Sequence, residues 1–154
     1  MPAPDRIAKL KSFIGAHPRS KYKDTATEAL VRARAAVGDT KLREMDLAGG
    51  IEQFKLAVAE APAKMSDDLY DNYVGQIPAN LYLRQQTAAA MEIARAIEDK
   101  VNDNPLRLVK LALFYMSLED GESAARVAAQ AVKLEPTSPD AYMALGSAQR
   151  VMLK

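Results

Sequence analysis

Histidine is the side chain best suited to moving protons near neutral pH, and this chain has one, His17, followed directly by Pro18. No acid or nucleophile is arranged around it in the sequence, so a surface role is expected rather than general acid–base catalysis. Metal chemistry would have to use oxygen ligands. Two carboxylate groups qualify by proximity: Asp67, Asp68 and Asp71, and Glu119, Asp120 and Glu122. The first follows Ser66 at a predicted helix start, where the positive end of the helix favours acids. The second surrounds Gly121 without the spacing or the distal Glu of an EF-hand loop. There is no cysteine, which removes disulfides, thiolate nucleophiles and cysteine metal sites. No glycine-rich phosphate loop, nucleophile elbow or paired His-Glu motif occurs, and Gly49-Gly50 reads as a helix-packing device. The expectation is a non-catalytic protein with no cofactor and no metal.

Charge and composition narrow the partners. The 21 basic and 20 acidic residues leave a formal charge of +1, so nucleic acid and anionic membrane lose their main electrostatic attraction. Basic residues outnumber acids in the N-terminal third, but they are dispersed over several helical faces. Tyr70, Tyr73 and Tyr82 have no basic groove beside them that would make a stacking platform for bases. Apolar residues make up 49% and charged residues 27%, the balance of a folded chain rather than a disordered one. No stretch is long and apolar enough to insert in a membrane, and MPAPDRIAKLK lacks the apolar core of a signal peptide. A cytoplasmic location is expected, or the envelope for a chain whose signal peptide has been removed.

The elements that would position any site are helical throughout. Ile7, Leu10, Phe13 and Ile14 recur at helical spacing and predict a first helix from Asp5 to near Gly15. Thr25 and Glu28 form a capping-box pattern for a second helix ending at Gly38-Asp39, with Thr40 to Met45 left as an extension or connector. Gly50, Ile51, Phe54, Ala57, Val58 and Pro62 outline a third. Ser66 should cap a helix with Leu69, Tyr70, Tyr73, Val74 and Ile77 on its apolar side, kinked or broken at Pro78. Arg84 to Thr87 is a polar connector. Ala90, Ile93, Ala94 and Ile97 mark the next helix, ending near Val101-Asn102.

From Asn104 the pattern becomes regular. Asn104 and Pro105 start one helix, an Asp-Gly turn at 120–121 leads to another, and Ser138-Pro139 repeats the first start. Leu108, Leu111, Ala112 and Tyr115 return 34 residues later as Tyr142, Leu145, Gly146 and Gln149, and Ala90 to Ala124 is again 34. A fixed period of this length is the mark of a repeat array. These residues, with Ala124, Ala128, Ala131 and Pro136, resemble the tetratricopeptide repeat. The run FIGAHPRSKYKDTATEAL is similar to the opening of a variant of that repeat seen in some bacterial envelope proteins.

The resemblance implies an all-α fold, a right-handed superhelix of about seven or eight antiparallel helices. It would form one helical-repeat domain: irregular helices over 4–62, a repeat with a kinked first helix over 66–102, a regular repeat over 104–137 and an unpaired last helix over 138–154. Ala112, Ala124, Ala131 and Gly146 would then sit where paired helices approach most closely. It also implies a non-catalytic module that binds a peptide or partner helix on its concave face. That face would comprise Gln76 and Tyr82 from one unit, Leu106, Val109, Lys110, Leu113 and Met116 from the next, and Met143, Ser147 and Arg150 from the last helix. Val109 and Leu113 stand where the family's carboxylate clamp has polar residues, which favours an apolar ligand. The alternative is a self-associating or excised structural segment of a larger protein, with a homodimer through the C-terminal helix. An exposed surface at Leu145, Val151, Met152 and Leu153 would call for a partner, a second copy or further sequence.

Overall fold

A computed structural model describes all 154 residues. The chain is all-α: α1 (Ala3–Ala16), α2 (Lys23–Arg43), α3 (Leu47–Glu60), α4 (Asp67–Asn72), a 3₁₀ turn (Val74–Gln76), α5 (Ile77–Leu83), α6 (Thr87–Val101), α7 (Pro105–Ser117), α8 (Gly121–Leu134) and α9 (Pro139–Met152). None is long and apolar enough to cross a membrane. The chain divides into two compact units, Met1–Ile97 and Glu98–Lys154.

In the first unit, Ile7, Leu10 and Ile14 of α1 pack on Leu30, Ala33 and Val37 of α2. Helix α2 departs from the sequence reading at both ends. No side chain caps it, and the Thr25/Glu28 box is not formed. Glu28 instead accepts from the Ser66 backbone N–H at 2.8 Å and the Ser66 hydroxyl at 2.6 Å. The helix also runs straight through Gly38 to Arg43. Gly38 is there for space: a Cβ would lie 2.9 Å from the Phe54 ring and 3.2 Å from the Gly50 carbonyl oxygen. Gly50 answers from α3, where a Cβ would come within 2.7 Å of the Leu42 side chain. The two backbones therefore approach closely, with Phe54, Ala57 and Val58 sealed beneath. Arg34 ties the pair further. Although 7% exposed, it forms a bidentate ion pair with Glu60 at 3.2 and 2.9 Å and reaches Gln53 Oε1.

Ser66 caps α4 by accepting from Leu69 N–H, with Asp67 and Asp68 in the first turn. The break expected at Pro78 lies before it, across Tyr73–Gln76, and Pro78 is the second residue of α5. A proline at that position loses no hydrogen bond, because the N–H it lacks would have had no partner there. Gly75 permits the break, since a Cβ would sit 2.8 Å from the Tyr70 carbonyl oxygen.

The second unit packs α7, α8 and α9 around Leu108, Leu111, Ala112, Tyr115 and Val127, with Ala124, Ala128 and Ala131 of α8 and Ala141, Ala144 and Ala148 of α9, all buried. Asn104, Asp120 and Ser138 each cap their helix by accepting from the backbone N–H three residues on. The Tyr115 hydroxyl donates to Glu98 Oε2 at 3.1 Å, and Arg126 grips the same carboxylate with two bonds of 2.9 Å. These bonds hold the Arg126 guanidinium above its ordinary pKa. Gly146 corrects an expectation: it is exposed, and a Cβ there would meet nothing within 4 Å. The close contact lies at Gly121, where a Cβ would fall 2.6 Å from Met152 Cγ and 3.2 Å from the Ala148 carbonyl oxygen. Gly121 is therefore not the turn residue but the first residue of α8, placed against the end of α9.

One turn is built three times. Met45, Gln85 and Glu119 adopt left-handed φ values of 65°, 62° and 58° after α2, α5 and α7. In each case the next N–H bonds to the carbonyl five residues back: Asp46 to Lys41 at 2.9 Å, Gln86 to Leu81 at 2.9 Å and Asp120 to Tyr115 at 3.0 Å. The left-handed residue itself bonds three back in all three turns. This is the Schellman arrangement, which satisfies the last carbonyls of one helix before the next begins.

Candidate functional site

The N-terminal caps Asn104-Pro105 and Ser138-Pro139 start α7 and α9 alike, and the two helices lie side by side with a groove between them. On α7 the successive positions Leu106, Val109, Lys110 and Leu113 share one face, as a 3.6-residue period requires. On α9 the facing positions are Asp140, Met143, Ala144 and Ser147. Together they enclose about 320 Å³. Leu106 and Leu113 are each 56% exposed and Met143 67%, while Val109 is buried and forms part of the floor. Three large apolar side chains are thus left facing one depression. Lys110 and Asp140, opposite in charge, are its ionisable members.

Six of the ten residues assigned from sequence meet here: Leu106, Val109, Lys110, Leu113, Met143 and Ser147. Arg150 stands beside the groove rather than in its lining and donates to Ser147 Oγ at 3.3 Å. Met116, further along α7, is half-buried and does not line it. Gln76 and Tyr82 belong to the first unit. Gln76 lines a different depression there, of about 360 Å³, with Asp39, Asn72, Tyr73 and Asn80 among its walls. Tyr82 is exposed and lines neither. Asp140 and Ala144 were missed by sequence reasoning. An acid just after Ser138-Pro139 reads as a helix-start residue, and only the position of α7 turns it into groove lining.

A scan of protein-family models and a search of curated proteins find no match to this chain.

The first unit's depression differs in kind. Its polar walls are already engaged: Asn80 donates to Asp39 Oδ1 at 3.3 Å and accepts from Arg84, Asn72 donates to Asp68, and Gln76 donates to the Asp71 carbonyl. Arg43 pairs with the other Asp39 oxygen. The remaining chemical candidates serve helices. Asp68 is held by Asn72 at 2.8 Å and Arg32 at 2.9 Å, and those hydrogen bonds pull its carboxyl below the usual pKa. Asp120 caps α8. His17 is exposed, its ring centroid 4.9 Å from that of Phe13. No group of three or more metal-ligating side chains is assembled.

Proposed function

We propose that this chain is a helical-repeat protein of tetratricopeptide type, curved as a right-handed superhelix, and that it acts as a binding scaffold. Its α7–α9 groove takes an apolar segment of a partner protein. Support for the repeat comes from the 34-residue recurrence together with the turn built identically after α2, α5 and α7. Support for binding rests on one observation: Leu106, Leu113 and Met143 stay exposed around a single groove. Burying them is worth roughly 25 cal/mol for each Å² of apolar surface, and a helix or extended strand supplies such side chains at regular spacing. Lys110 and Asp140 then set register rather than affinity. The absence of a cation cluster in the lining disfavours a free carboxylate terminus as the ligand.

The test is a peptide-display selection against the full chain, followed by titration of the selected peptides against Leu113→Asp/Met143→Asp. Both side chains are exposed, so the double variant should melt within a few degrees of the parent. Selected peptides should bind it at least about tenfold more weakly, a loss of about 1.4 kcal/mol. Peptides that bind parent and variant equally would place the binding surface elsewhere.

A further inference from the structure

The near-zero net charge conceals how the charges are laid out. Residues 6–23 hold six of the 21 bases, Arg6, Lys9, Lys11, Arg19, Lys21 and Lys23, and no acid, which leaves 15 bases to face all 20 acids in the rest of the chain. This stretch is most of α1, the turn after it and the first residue of α2, bracketed by Asp5 and Asp24. Elsewhere in the first unit bases are used inside the molecule: Arg32 pairs with Asp68, Arg34 with Glu60, Lys41 with Asp46 and Arg43 with Asp39. None of the six takes part in an ion pair. Five are exposed and Lys23 is half-buried. The first unit therefore carries, along α1 and its turn, positive charge that it does not consume.

Tyr22 is an independent sign. The turn is tied down, with the Ser20 N–H bonded to the His17 carbonyl, the Lys23 N–H to the Ser20 carbonyl and the Tyr22 N–H to Ser20 Oγ, each at 3.1 Å. That fixed turn leaves the Tyr22 ring 58% exposed, with the Lys21 ammonium 5.0 Å from its centroid. Helix α1 is arranged to match. Ile7, Leu10 and Ile14 pack on α2, so the opposite side faces outward, and there Ala8, Ser12 and Gly15 are small and exposed. Arg6 and Lys9 stand on one flank of that side and Lys11 on the other, as the helical period requires. Small residues let the helix approach a surface closely while the flanking bases reach out to both sides. A strand of nucleic acid is a line of phosphates and calls for bases along a track, whereas bases splayed about a helix match a plane of charge. An exposed tyrosine among bases suits a lipid surface, where its ring settles at headgroup level and long basic side chains keep their charged ends in that layer.

We propose that α1 and the turn after it form a docking face for an anionic lipid surface. Lys9, Lys11, Arg19, Lys21 and Lys23 pair with headgroup phosphates, and Tyr22 enters the headgroup layer. Contact is peripheral, since no helix is long and apolar enough to cross a membrane. Each base held against an anionic leaflet strengthens binding about fivefold, and the attraction fades within a Debye length. The face shares no residue with the groove between α7 and α9, so it stands or falls separately from that site.

The chain has no tryptophan, so Tyr22→Trp places a single reporter in the turn. Titrated at low salt with vesicles of phosphatidylglycerol and phosphatidylcholine in equal parts, its emission should move to the blue, and vesicles of phosphatidylcholine alone should leave it unchanged. Salt at roughly 0.5 M should release the protein. In sedimentation with the mixed vesicles, Arg19→Glu/Lys21→Glu/Lys23→Glu should bind at least about tenfold more weakly than the parent. Arg95→Glu/Lys133→Glu/Lys154→Glu, which changes the net charge equally at exposed positions outside the face, should bind as the parent does. Both triple variants should melt within a few degrees of the parent, because the changed side chains make no ion pair. No sedimentation with the mixed vesicles, an unmoved emission from Tyr22→Trp, or equal losses in the two triple variants overturns the proposal. So does a single-stranded oligonucleotide or polyglutamate that stays bound to the parent at salt where the vesicles have let go, since that assigns the face to nucleic acid or to an acidic protein.

Discussion

Helices α2 and α9 each carry a glycine well inside the helix, and the two glycines stand in opposite surroundings. Gly38 meets the Phe54 ring and the Gly50 carbonyl at distances a side chain could not tolerate, while Gly146 faces open space. The first marks a contact already made within the chain, between α2 and α3. The second marks a helix face with no neighbour. Two glycines that look alike in a helical pattern can thus mark a close backbone approach or an open face, and the sequence does not say which. A similar contrast holds for the charged clamps. Arg34, almost without solvent, pairs with a partly exposed Glu60 in the first unit, whereas Arg126, half exposed, makes the same two-bond pairing with Glu98 in the second.

Filling the α2–α3 contact should have the largest effect. Gly50→Leu would drive a branched side chain into Leu42 and the Gly38 carbonyl, at a cost of about 3 kcal/mol from overpacking. Denaturant unfolding reads this directly, and an unchanged midpoint would mean the close approach is not there. The clamps come next. Glu60→Ala leaves Arg34 charged and almost without solvent, and should cost about 2 kcal/mol, less than a fully buried pair because Glu60 is itself partly exposed. Glu98→Ala removes a half-exposed pair and the acceptor for Tyr115, and should cost about 1 kcal/mol. Equal losses for the two would erase the distinction between the units drawn from burial.

How far the sequence could be read follows the same line. The regular half was legible because small and large residues recur with a helical period and two helix starts carry their own caps, at Asn104 and Ser138, while Asp120, read as a turn residue, proves to cap α8. The resemblance to a repeat assigned five positions of α7 to a concave face, and four of them, Leu106, Val109, Lys110 and Leu113, line one groove. Features that depend on distant residues were not legible. Glu28 looked like half of a local capping box but is held by Ser66, far along the chain. Gly38-Asp39 looked like a helix stop, since a glycine that ends a helix and one that admits a neighbouring helix are the same letter. The three left-handed turn residues, Met45, Gln85 and Glu119, carry none of the glycine signal that usually announces that conformation. Asp140 joined the site only through α7, and Met116, half-buried further along α7, does not line it.

A smaller effect, and of opposite sign, is expected at the open glycine. Gly146→Ala should stabilise the chain by roughly 0.5–1 kcal/mol, because it improves helix propensity and meets no neighbour. Gly38→Ala has the same propensity gain but meets the Phe54 ring, so it should be neutral or destabilising. Thermal melts of the two variants side by side test the contrast, and stabilisation by both would remove it.

The smallest effect concerns acid, at the junction that brings α2 and α3 together. Asp46 accepts from the Gly49 backbone N–H at 2.9 Å and from Lys41 Nζ at 3.2 Å, and these bonds, the backbone one first, hold its carboxyl below the ordinary value of 3.8. A carboxyl depressed in the folded state binds its proton more readily when the chain unfolds, so it contributes stability above the unfolded pKa. That contribution fades as the pH falls from about 4 through the lower folded value. Asp68 adds a second such group in the same unit. The melting temperature should therefore drop below about pH 4. Asp46→Asn keeps a side-chain oxygen for Gly49 but cannot titrate, so its acid limb should be shallower than the parent's between pH 5 and pH 2. Parallel limbs would show that the α2–α3 junction is held by the packing at Gly38 and Gly50 alone, with no measurable share from its cap.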